Sequence, residues 1–103
     1  MIPHARVTFT PLAERHIDDL HSYIATASGE DRADRYISRI LAFCNGLAMF
    51  PLRGVPRDDI LAGLRVVGFE RRVAIAFVVG ADDVLIEGIF YGGRDFENIL
   101  GDR

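Results

Sequence analysis

The chain opens with a hydrophobic period of two and then changes to a period near 3.6. Residues 6 to 10, RVTFT, alternate apolar and polar positions and are rich in β-branched side chains, which predicts a short strand. From Pro11 onward Ala13, Ile17, Leu20, Ile24 and Ala27 recur at intervals of four and three and share one helical face, while Glu14, Arg15, Asp18 and Asp19 lie mostly elsewhere. Thr10 is placed to cap this helix through its hydroxyl, and Pro11 suits the first helical position, where no N–H is needed. SGED at 28 to 31 interrupts the pattern: Gly29 ends the first helix, and Ser28 with Asp31 resembles a capping box for a second. Ala33, Ile37, Ile40, Cys44 and Leu47 form the main stripe of that second helix. Tyr36, Phe43 and Phe50 widen its apolar edge until Pro51 stops the pattern. The resulting helical hairpin has more apolar surface than one seam needs, so the remainder must meet a sheet or a partner.

PLRGVPRDDILAG, residues 51 to 63, holds two prolines and two glycines among charges and reads as a loop with one helical turn at most. Three strands follow: LRVVGF, RRVAIAFVV and VLIEGIFY, the last two joined across GADD, a connection suited to a hairpin. In the long middle strand Val73, Ile75, Phe77 and Val79 face one way and Ala74, Ala76 and Val78 the other, so both faces are apolar and the strand is expected to be central. Asp95 is placed to cap a short last helix, FENIL. The expected fold is α+β in the order β-α-α-β-β-β with a short C-terminal helix, as one domain over residues 1–103.

Composition narrows the chemistry. No apolar run approaches the roughly 20 residues that cross a bilayer, and MIPHARVTFT lacks the features of a secretory signal, so a cytoplasmic location is expected. The single cysteine, Cys44, falls on an apolar helical face and is expected to pack there, where a thiol behaves as a small hydrophobe. The formal charge is -3 and all 12 basic residues are arginine. That balance argues against a protein whose main task is gripping nucleic acid, which needs a basic excess.

The histidines do not form a ligand set: His16 and His21 are five apart, so on a helix they diverge by about 140°, and both are expected to be solvated. Asp18-Asp19, Asp58-Asp59 and Asp82-Asp83 read as a helix surface and two turns. Neither a metal nor a cofactor is expected, and no phosphate loop, zinc signature or nucleophile elbow is present. What remains is an arginine group: Arg65 in the first late strand, Arg71 and Arg72 opening the next, and Arg94 just past the last, which strand pairing could gather near Tyr91. The alternative is structural, with the arginines charging strand ends and Tyr91 packing at a sheet edge.

VTFTPLAERHIDDL, RYISRI, LAMFPLRGVPRDDILAGLR, RRVAIAFVV and VLIEGIFYGGRDF together resemble the ParE branch of the RelE/ParE toxin superfamily over almost the whole chain. The helix opening on TPLA, the P-x-x-G loop, the GLR strand and the closing GGRD stand in the family's order. The resemblance implies a helical hairpin on a curved, mainly antiparallel sheet. It also implies a toxin of a type II toxin–antitoxin system that poisons DNA gyrase, with a role in plasmid stabilisation. The RelE branch would instead cut mRNA in the ribosome, and a degenerate toxin would bind only its antitoxin.

Cutting RNA needs a base, an acid and cations about the phosphate. By resemblance Arg65 matches the GLR arginine and Tyr91 the late aromatic position, more often His in ParE sequences. Lysines are missing, and Arg with a pKa above about 12 is a poor proton shuttle. The expectation is a binding inhibitor contacting its target through Arg65, Arg72, Tyr91 and Arg94; for a nuclease, Arg65, Tyr91 and Arg94 would be the catalytic candidates. A ParD-like antitoxin is implied as partner, forming a hetero-oligomer in a helix-in-groove mode, with Tyr23, Tyr36, Phe43 and Phe50 as anchors. Core packing is the alternative for each of these four and the better reading for Phe43 and Phe50, whereas the hydroxyls of Tyr23 and Tyr36 prefer a wet edge.

Overall fold

The computed structural model describes residues 6–93 and 95–101. Strand β1 (Arg6–Phe9) leads into helix α1 (Pro11–Ser28), followed by α2 (Glu30–Gly46), β2 (Val55–Pro56), β3 (Leu64–Phe69), β4 (Val73–Val79), β5 (Asp83–Tyr91) and α3 (Phe96–Gly101). The sheet order is β1-β5-β4-β3-β2, parallel between β1 and β5 and antiparallel elsewhere. The expected α+β class, element order and central β4 are all present. Among the described residues no helix is long and apolar enough to cross a membrane.

Thr10 ties the first helix to the sheet. Its hydroxyl oxygen accepts from the Ala13 N–H at 3.1 Å and the same hydroxyl donates to the Glu87 carbonyl at 3.2 Å, so one side chain caps α1 and fixes its start against β5. Gly29 then lets the chain reverse between the helices with φ at +96°, a value that favours glycine. The expected capping box is absent: Ser28 is still within α1, and α2 begins on Gly29 with no side-chain cap. A one-residue link leaves no room for a Ser28 side chain to turn back onto α2.

The stripe of α2 is buried as its spacing predicts, with Ala33, Ile40, Cys44 and Leu47 fully enclosed and Ile37 nearly so. Burial pushes the Cys44 thiol up to about 12, as fits a packing role. These residues meet Val73, Ile75 and Phe77 on one face of β4. The other face, with Ala76, packs against Leu64, Phe90 and Leu100 under α3. The Asp95 side chain accepts from the Asn98 N–H at 3.3 Å, as expected of a cap for α3.

Three more local expectations are corrected, and β5 carries an irregularity. His16 is buried, not solvated: its Nδ1 accepts from the Ile89 N–H at 3.1 Å and its ring packs edge-on against Phe90. β1 ends opposite Ile86, so the Ile89 amide extends beyond the ladder and needs another acceptor, which His16 supplies. Residues 51–63 are not all loop, because Val55 and Pro56 pair with Val66 and Arg65 as a two-residue edge strand. Arg71 and Arg72 precede β4 rather than opening it, since Glu70 and Arg71 form the β3–β4 turn at φ +48° and +63°. Strict alternation in β5 breaks at Glu87, the extra residue of a register shift against Ala76/Phe77, so Ile86 and Ile89 both reach the helical side.

Candidate functional site

The ends of β5 and of the β3–β4 hairpin meet the helical hairpin around Tyr91. Val73 pairs with Tyr91 across the ladder, which places Arg72, one residue earlier, beside the tyrosine. The Gly92 N–H donates to the Arg72 carbonyl at 2.9 Å and holds the two chain segments together. The Tyr91 ring leans on Tyr23 of α1, centroids 5.8 Å apart. Between these groups and α2 lies an open cleft of about 540 Å³, lined by Tyr23, Ile24, Ala27 and Ser28 of α1, Arg32, Arg35, Tyr36 and Arg39 of α2, and Arg72 and Tyr91. Tyr91 also borders a 480 Å³ recess with Glu70, Arg71, Arg72, Gly92 and Gly93. A third recess of 390 Å³ lies between Tyr91 and His16.

Four arginines and no carboxylate line the cleft. Arg39 is committed: its Nε and Nη2 donate to the two Glu70 carboxylate oxygens at 2.9 and 3.0 Å, and its guanidinium lies 5.1 Å from the Tyr36 ring centre. Hydrogen bonding to Arg39 holds the Glu70 carboxyl below its ordinary range. Burial, followed by the Glu70 charge, pushes the Tyr36 phenol above its ordinary value. The Tyr36 hydroxyl has no hydrogen-bond partner among the described residues. Arg32, Arg35 and Arg72 form no salt bridge among the described residues.

Of the expected target contacts, Arg72 and Tyr91 are brought together, Arg65 is not, and Arg94 lies outside the described residues. Arg65 pairs with Phe77 and stands four residues before Phe69, about 13 Å along the strand. Its guanidinium donates to the carbonyls of Leu52, Arg53 and Gly54 at 2.7, 3.0 and 3.4 Å, holding the segment that leads into β2. The four aromatic anchors divide in the same way. Tyr23, 60% exposed, and half-buried Tyr36 wall the cleft. Phe43 packs on Phe69 at 5.2 Å, and Phe50, 63% exposed, belongs to the loop after α2. Exposed Phe50 overturns core packing for that residue; the buried Tyr36 hydroxyl overturns the expectation of a wet one.

Sequence reasoning missed Arg32, Arg35 and Arg39. Their i, i+3, i+7 spacing on α2 put them on one face and was the available signal. Among the described residues no group of three or more His, Cys, Asp or Glu could hold a metal ion.

The sequence model of the family described as the ParE toxin of type II toxin–antitoxin system, parDE, matches residues 7–96. Among solved structures, the chromosomal ParDE toxin–antitoxin system from P. aeruginosa has a chain 19% identical to this one, with a TM-score of 0.74 over 86% of this chain and 97% of that one. The RelBE2 toxin–antitoxin complex from Mycobacterium tuberculosis has a chain 23% identical, with a TM-score of 0.67 over 88% of this chain and 93% of that one. Both likenesses concern the fold. No curated protein sequence matches significantly.

Proposed function

The chain belongs to the ParE family of type II toxin–antitoxin toxins, and we propose that it acts in the cytoplasm by binding DNA gyrase, catalysing no reaction itself, until a ParD-like antitoxin neutralises it. The observation that carries this reading is the pairing of Arg72 with Tyr91 on an open surface whose chemistry suits contact better than proton transfer. The cations there are arginines, which hold their protons far above neutral pH. Burial moves the nearby Tyr36 phenol upward, away from what a general base requires. The antitoxin would lie along the helical hairpin, anchored by Tyr23 and Tyr36 in the cleft and by Phe43 and Phe50 further along α2.

A supercoiling assay with purified gyrase tests the reading. Toxin at equimolar concentration is expected to block supercoiling or trap cleaved DNA, and Arg72→Ala with Tyr91→Ala to weaken that effect about tenfold or more. Unimpaired supercoiling without trapped cleavage would overturn it. Cleavage of ribosome-bound transcript would then identify a RelE-like nuclease, and normal growth on induction without antitoxin would identify a chain that only binds its antitoxin.

A further inference from the structure

We propose that the loop joining α2 to β3 is a second, preformed contact for the target protein, in which exposed apolar side chains at 49–55 meet an apolar patch and Arg53 meets a carboxylate at its edge. The first observation is exposure. Met49, Phe50, Leu52 and Val55, all within seven residues, are 52, 63, 74 and 62% exposed. Among the described residues the other exposed large apolar side chains are Tyr23 and Ile99, each on a helix. Met49, Phe50, Pro51, Leu52 and Arg53 line a recess of about 350 Å³. A lone apolar residue on a surface needs no partner, whereas a cluster that joins Met, Phe and Arg has the composition of an interface core.

The second observation is rigidity. A free loop with this many apolar groups would fold them back onto the protein, out of water. Here the backbone is held along its length. The Met49 and Phe50 N–H groups donate to the Gly46 carbonyl at 3.0 and 3.3 Å, Pro51 is buried, and the Arg57 N–H donates to the Leu64 carbonyl at 2.8 Å. Between these points Arg65 holds the carbonyls of Leu52, Arg53 and Gly54. Gly54 lies so close to β3 that a Cβ would meet the Val66 carbonyl. The side chains are therefore presented in one arrangement, and the backbone has little freedom left to lose on binding.

The third observation is charge, and it selects the occupant. The acids that follow are used internally: Asp58 accepts from the Gly63 N–H at 2.9 Å, and Asp59 accepts from Arg57 at 3.0 and 2.9 Å. Glu97 lies 3.5 Å from the same Arg57 guanidinium. Arg53 forms no salt bridge among the described residues, and its guanidinium lies 5.0 Å from the Phe43 ring centre and 6.0 Å from that of Phe50. The loop thus offers one unanswered positive charge in an apolar field, complementary to an apolar patch with a carboxylate on its rim. A second copy fits badly, because a two-fold axis through the patch would set Arg53 near its counterpart with no free acid between them. Nucleic acid and anionic bilayers fit badly too, since each selects clusters of basic residues. In taking gyrase as the target the inference rests on the reading above; it adds a contact at the far end of the β3–β4 hairpin from Arg72 and Tyr91.

The test uses the full chain and purified, immobilised gyrase holoenzyme, with binding followed by biolayer interferometry. Leu52→Asp is expected to weaken binding about tenfold or more. Arg53→Glu should do the same and remove much of the salt dependence. Phe50, which the antitoxin would also use, is left unchanged. Arg15→Glu, the same charge change on exposed α1 surface, should leave binding within about twofold. Circular dichroism melts show that each variant is folded, and Leu52→Ser supplies a milder change at the same position. Because Leu52 and Arg72 stand at opposite ends of the hairpin with no shared partner, the fold-losses of Leu52→Asp and Arg72→Ala should multiply in the double variant. Parent-like binding by folded Leu52→Asp and Arg53→Glu would overturn the inference and leave gyrase, Arg72 and Tyr91 in place. No gyrase binding by the parent would overturn the target reading and this contact together. A parent that sediments as a dimer, dissociated by Leu52→Asp, would overturn the inference by giving the patch to a second copy.

Discussion

Arg65 and Arg72 stand at opposite ends of the β3–β4 hairpin, and the fold uses them in opposite ways. Arg65 faces a loop whose backbone carbonyls lack ladder partners, and its guanidinium is committed to three of them. That loop can therefore display Phe50, Leu52 and Val55, each more than 60% exposed, while its backbone stays fixed. Arg72 follows a two-residue turn that satisfies its own backbone, with the Arg72 N–H donating to the Phe69 carbonyl at 3.2 Å, so its side chain is left for the cleft. The comparison teaches that an arginine is available for recognition where the local backbone is already paired, and structural where it is not. Substitutions around Arg65 should therefore change stability, and substitutions around Arg72 should change binding.

The largest expected effect is at Gly54. Its φ is +77°, and an added Cβ would run into the Val66 carbonyl. Gly54→Ala should destabilise by about 3 kcal/mol from left-handed strain and the backbone clash together, lowering Tm by roughly 15 °C. Gly93→Ala, at φ +79° but with open space around the Cβ, should cost only about 1 kcal/mol. Equal melting temperatures for the two variants would show that the loop is not held against β3.

Next comes Arg65→Ala, which removes a charged donor from three carbonyls and should cost about 2 kcal/mol. Arg65→Lys should recover only part of this, because an ammonium cannot span carbonyls that a planar fork reaches together. Thermal melts separate this role from target contact. A variant with native Tm and lost gyrase inhibition would restore Arg65 to the target surface and break the comparison.

Smaller changes are expected at the other end of the hairpin. Arg71→Gly should raise stability by about 0.5 kcal/mol, since glycine accepts the positive φ of the turn without a Cβ penalty, partly offset by its greater freedom when unfolded. Arg72→Ala and Tyr91→Phe should each alter stability by less than about 0.5 kcal/mol while weakening the effect on gyrase. A Tm loss at Arg72 as large as that at Arg65 would mean that both arginines are structural.

The same distinction separates what was legible in the sequence from what was not. Thr10-Pro11, the stripe from Ala33 to Leu47 and the two apolar faces of β4 were legible because each is a local pattern with one satisfying geometry. β2 was not, since two residues joined to a sheet edge carry no period. His16 was hidden for a related reason: its burial answers an unpaired amide 73 residues away, which helix spacing does not reveal. For the site, Tyr91 beside Arg72 followed from the hairpin order, whereas Arg65 was separated only once the register against Phe77 was fixed. The Arg32, Arg35, Arg39 ridge has the same spacing as any solvated helix face, and only the placement of β5 beside α1 turns it into the wall of a cleft.

The smallest effect on stability concerns the acid that tempers that wall. Glu70 holds Arg39 through an exposed bidentate pair, and the pairing lowers its carboxyl pKa from the ordinary 4.5. Such a group contributes stability above the unfolded carboxylate range and loses it as pH falls through the lowered folded value. Glu70→Gln should thus melt slightly below the parent at neutral pH, and the difference should close below about pH 4.5 as the parent protonates. A gap that widens in acid would reverse the assigned sign.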